Sequence, residues 1–166
     1  MRLAPALLAS ALVSAEPAQA SADACDALTV QVIRLTGASL VGRDGTLVVF
    51  RAADAERMSL DCRTPRQVLI SSRRREPPGA YFVLIGLAAQ ALVGGKPAEV
   101  ETLARRLHQE TLLTGASREG RAGPVRLRCE PGDRIDGSSR GTLCRLAPDR
   151  PPLRRRAGLF EGAPAG

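Results

Sequence analysis

The sequence predicts an α+β fold, an antiparallel β-sheet with a two-helix hairpin packed on one face, stapled by two disulfides. Three observations carry this expectation. Apolar runs of period two, separated by turn residues, fill residues 28–71 and 124–147. Two helix-like segments lie between them, and four cysteines follow a leader of export type.

The leader comes first in the chain. "MRLAPALLASALVSAEPAQASADAC" carries one positive charge at Arg2, an apolar run from Leu3 to Ala15, and the small-x-small triplet Ala18-Gln19-Ala20. That is the layout of a cleavable export signal over residues 1–20, with cleavage after Ala20. The run is shorter than the roughly 20 apolar residues that cross a bilayer. "SADA" before Cys25 lacks the large aliphatic residue that a lipoprotein signal places three positions upstream of its cysteine. The expected location is the periplasm or the medium of a bacterial cell, with no stable membrane span after cleavage.

An even cysteine count in an exported chain is the signature of disulfides. Cys25, Cys62, Cys129 and Cys144 show no C-x2-C spacing, and the only histidine is His108, so neither a zinc site nor a redox pair is expected. No motif calls for a cofactor. In "RLRCEPGDRIDGSSRGTLCRL", a turn centred between Asp136 and Gly137 sets Cys129 opposite Cys144 and Leu127 opposite Leu146 on one face. The other face then sets Arg128 against Arg145. By elimination Cys25 pairs with Cys62.

The single domain, residues 21–147, starts with strands. "LTVQVIRL" alternates Leu28, Val30 and Val32 with Thr29 and Gln31 and reads as a half-buried strand. "SLVGRDGTLVVFR" is a hairpin around Asp44-Gly45. "RMSLDC" puts Met58, Leu60 and Cys62 on one face, turns at "RTPR" and runs on into "QVLIS". After Pro77 and Pro78 comes an almost wholly apolar segment, 80–93, closed by Gly94 and Gly95. It is too short to span a membrane and contains Gln90, so it reads as a central core helix rather than a membrane-inserted one. A second helix follows Pro97, with Val100, Leu103, Ala104 and Leu107 at helical spacing and Gly115 as its cap. The hairpin 124–147 returns to the sheet. Residues 148–166, rich in Pro, Arg and Gly, read as a disordered tail.

"LTGASLVGRDG" at 35–45 and "LTGASREGRAG" at 113–123 agree at eight of eleven positions. Their flanks do not match, and the repeat reads as coincidence in a chain rich in Gly, Ala and Arg.

The net charge of +7 survives loss of the leader, which removes one charge of each sign. Among 24 basic side chains only Lys96 is a lysine. Arginine pairs with phosphate and carboxylate in bidentate fashion, so Arg73, Arg74, Arg75, Arg154, Arg155 and Arg156 are candidates for binding an anionic component of the cell envelope or an envelope protein. Nucleic acid is not expected, because stacking needs aromatics and the mature chain has only Phe50, Tyr81, Phe82 and Phe160. Glu130, Asp133 and Asp136 read as a plain turn, not a calcium loop. The resulting expectation is a non-enzymatic binding module. The alternatives are a small periplasmic hydrolase using His108 with Ser71, Ser72, Ser138 or Ser139, and a membrane-associated envelope protein; no G-x-S-x-G elbow occurs.

Overall fold

The computed structural model describes residues 17–132 and 141–149. Helix α1 (Pro17–Thr36) leads into strands β1 (Ser39–Asp44), β2 (Leu47–Arg51), β3 (Arg57–Asp61) and β4 (Gln67–Ser72). Helices α2 (Gly79–Val93) and α3 (Pro97–Thr114) follow, then β5 (Arg118–Ala122), β6 (Val125–Gly132) and β7 (Gly141–Pro148). The strands form one antiparallel sheet in the order β1-β2-β3-β4-β7-β6-β5. The fold is α+β, with the α2–α3 hairpin on one face as expected.

Strand alternation sorts the side chains cleanly. Val48, Phe50, Met58, Leu60, Val68, Ile70, Leu127 and Leu146 point to the helical layer and are 0–2% exposed. At about 1.5–3 kcal/mol for each large apolar side chain buried, this layer is the main source of stability. α2 sits at its centre, with Tyr81, Leu84, Ile85, Ala88 and Ala89 buried. Tyr81 donates its hydroxyl to the Ile70 carbonyl at 2.8 Å, tying α2 to β4. Gly86 allows α3 to approach closely, since a Cβ there would lie 2.6 Å from the Pro97 carbonyl oxygen. Most of the apolar surface of 80–93 is thus buried in the core, with Val83 left 42% exposed, and no described helix is long and apolar enough to cross a membrane.

Residues 28–35 overturn one expectation, because they form the second half of α1 rather than a strand. Cys25, Leu28, Thr29 and Val32 are buried while Val30 is 63% exposed, a spacing of three and four that only a helix produces. Leu28 and Val32 fit either period. Cys25, one turn earlier and bonded to Cys62, decides for the helix.

A second difference is β5, which the sequence did not announce. Its inward positions carry Arg118, Gly120 and Ala122, and its outward ones Glu119 and Arg121, so no apolar alternation marks it. It is an edge strand, where charge discourages pairing with other chains.

The eleven-residue repeat is more than shared composition. Both copies end a helix and start an edge strand. Gly37 and Gly115 take φ of 69° and 66°, left-handed caps that glycine adopts without strain. Thr36 donates its hydroxyl to Val32 O at 2.7 Å and accepts from the Ala38 amide at 3.3 Å. Thr114 does the same with Glu110 O at 2.8 Å and the Ala116 amide at 3.3 Å. The motif "LTGAS" is therefore a local code for ending a helix and turning the chain into the sheet.

Of the expected leader, only residues 17–20 are described, as the first turn of α1. All described buried side chains lie at Cys25 or beyond. The expected tail lies outside the described residues beyond Asp149, and with it Arg154, Arg155, Arg156 and Phe160. Ser138, Ser139, Asp133 and Asp136 also lie outside them.

Candidate functional site: a cleft and an arginine face

All four cysteines are spent in disulfides. Cys25 bonds Cys62, fastening α1 to the end of β3, and Cys129 bonds Cys144 across β6 and β7. The β6–β7 register pairs Leu127 with Leu146, Arg128 with Arg145 and Cys129 with Cys144, as the hairpin geometry predicts. Two disulfides are consistent with an oxidising compartment.

Arg73, Arg74 and Arg75 lie exposed in the connection from β4 to α2, and they point to different uses. Arg73 pairs with Glu56. Arg74 anchors the turn through its backbone amide, which donates to Ser72 Oγ at 3.2 Å. Arg75 reaches the end of α3, where its guanidinium donates to Leu112 O at 3.4 Å.

There Arg75 lines a cleft of about 530 Å³ together with His108, Thr111, Ser117, Arg128, Glu130 and Thr142. The cleft exists because β5 pairs with β6 only from Arg118, opposite Cys129, so the end of β6 past that pair has no β5 neighbour. His108 is 5% exposed and shares a 3.2 Å hydrogen bond with Thr142 through Nδ1. Burial lowers its pKa, and the nearby Glu76 carboxylate opposes this. The imidazole is therefore neutral near pH 7. Ser71 and Ser72 end β4; Ser117 shares the cleft with His108, whose described hydrogen-bond partner is a threonine rather than a serine. Arg128 and Glu130 pair at 3.2 Å, which leaves Arg75 as the other charged side chain lining the cleft. Among the described residues no cluster has the makings of a metal site.

The opposite face of the sheet has a stronger electrostatic character. No described helix covers it, and its rows can be read from the register. One row runs Val49, Ser59, Leu69, Arg145, Arg128, Glu119 across β2, β3, β4, β7, β6 and β5. In the adjacent row Arg126 stands directly opposite Arg121. Two arginine pairs therefore face each other across neighbouring strands, where opposite Cβ atoms lie about 4.5–5.5 Å apart and like charges destabilise. Arg121 is drawn to Asp149 at 3.1 Å and Arg128 to Glu130. Among the described residues Arg126 and Arg145 make no ion pair.

Sequence reasoning found half of this cluster. The Arg128–Arg145 pair follows from the turn centre. Arg121 and Arg126 were missed because their pairing needs β5. The arginine run 73–75, the more visible signal in sequence, supplies one cleft residue and no cluster. Comparison with protein-family models, with curated proteins and with solved structures returns no match.

Proposed function

We propose that this chain is an exported, non-enzymatic binding module of the cell envelope, locked by its disulfides, that takes an anionic partner on the helix-free face of its sheet. The observation that carries the reading is the pair of directly opposed arginines, Arg128 with Arg145 and Arg121 with Arg126. A sheet that had only to fold would gain by replacing one member of each pair, since like charges in register cost stability. An anion bridging the guanidiniums turns that cost into affinity, because arginine forks match phosphate and carboxylate oxygens. The export leader and the two disulfides support an oxidising location outside the cytoplasm.

Elution from a polyphosphate or heparin-type resin tests the reading. The oxidised protein should require more salt than Arg126→Gln/Arg145→Gln, while His108→Ala should elute with the wild type. Equal elution of wild type and the double variant overturns it. Loss of a cellular function in a folded His108→Ala protein would favour the hydrolase reading instead.

A further inference from the structure

Resting on the anionic-partner reading, we propose that the partner is the headgroup layer of an anionic lipid membrane, met by the helix-free face of the sheet. The reason lies in what accompanies the arginines. Leu69 stands directly opposite Arg145 on β4, and Leu143 precedes Arg145 by two on the same face of β7. Val49 continues the same row, and all three are half-buried rather than covered.

Basic and apolar groups interleaved on one broad face match the boundary between phosphate and acyl chains. There arginines hold headgroup phosphates while their stems and the neighbouring leucines enter the apolar layer. A soluble polyanion uses the charge and has no use for Leu69 and Leu143. Polymers of sugars or bases are gripped by exposed rings, and every described aromatic is buried: Phe50 at 2%, Tyr81 at 0% and Phe82 at 5% exposure. The geometry also fixes the mode. No described helix is long and apolar enough to span a bilayer, and most of α2 is buried in the core, so the contact is peripheral. Each basic residue at an anionic surface strengthens attachment by a factor of about five, so neutralising two weakens it on the order of tenfold or more.

The experiment is co-sedimentation of the oxidised protein with vesicles of phosphatidylcholine alone and with phosphatidylglycerol added, beside the polyphosphate resin. Expected is binding to the phosphatidylglycerol vesicles only, reduced about tenfold or more in Arg126→Gln/Arg145→Gln. Leu143→Ser should weaken vesicle binding and leave resin elution unchanged, a separation that a purely ionic contact would not produce. Urea midpoints confirm that each variant is folded, and Leu69→Ser serves if Leu143→Ser is not. Resin binding that depends on Arg126 and Arg145 without vesicle binding overturns the lipid proposal and keeps the anionic-partner reading. Vesicle binding indifferent to both leucines also overturns it, in favour of free phosphate or a polyanion. Binding to neither support removes both.

Discussion

Asp61 is 4% exposed on the helix-free face of the sheet, where a carboxylate must be well held. Arg63 holds it, donating from Nη2 at 2.6 Å and from Nε and the backbone amide at 3.0 Å, while Gln67 adds a 3.5 Å contact. The Arg63 side-chain hydrogen bonds outweigh burial and bring the carboxyl from 3.8 down to about 2. As pH falls, the unfolded chain takes up this proton first. The stability Asp61 contributes is therefore complete above about pH 4 and lost between there and pH 2. Asp61→Asn should flatten the pH dependence of the urea midpoint in that window, and an unchanged slope would contradict this origin. His108 has the same sign at higher pH: its depressed pKa means that stability falls as pH drops below about 6.5. Arg145 offers the reverse test, because removing one of two facing like charges should stabilise. Arg145→Gln is expected to gain roughly 0.2–1 kcal/mol in urea unfolding while weakening anion binding. A loss of stability would show that Arg128 and Arg145 do not repel.

Among the elements, the legible ones carry one unambiguous signal. The β6–β7 hairpin follows from a turn and a period of two, which together leave one register for Cys129 and Cys144. The ends of α2 and α3 follow from Gly94 and Gly115, both left-handed caps. α1 was misread because "LTVQVIRL" satisfies two periods at once, and only tertiary packing through Cys25 chooses between them. β5 and the cleft were hidden for a different reason. β5 has no apolar pattern, and the cleft gathers Arg75, His108, Arg128 and Thr142 from four separate elements or connections.

The staples act at this scale too. Opening Cys129–Cys144, which closes a short loop, should cost about 3 kcal/mol. Opening Cys25–Cys62 should act on α1, seen as faster amide exchange from Leu28 to Thr36 than in the β6–β7 hairpin. The two copies of the repeat differ at the edges they form. β1 shows Leu40 and Val41, 54% and 57% exposed, where β5 has Arg118 and Glu119. Because both side chains are exposed, Leu40→Arg/Val41→Glu should change the urea unfolding free energy by no more than about 0.5 kcal/mol, as for other surface substitutions. A loss of several kcal/mol would mean that β1 depends on its apolar edge.

For the whole molecule, the two layers separate two tasks. Helices and inward-facing side chains make a closed core, one disulfide fastens α1 to the sheet and the other joins β6 to β7 within it. The other face is left to arginines arranged against the interest of folding. Because surface charges are screened within about 10 Å at 0.1 M salt, binding carried by that face should weaken steeply between low and high salt. The most direct measurement follows the arginine Nε–Hε resonances by NMR while a short polyphosphate is titrated into the oxidised protein. Shifts at Arg126 and Arg145, which lie outside the cleft, that saturate together and vanish at high salt are the predicted result. Shifts confined to His108, Thr111, Thr142 and Arg128, which also lines the cleft, with Arg126 and Arg145 unmoved, would place binding in the cleft and overturn the sheet-face reading.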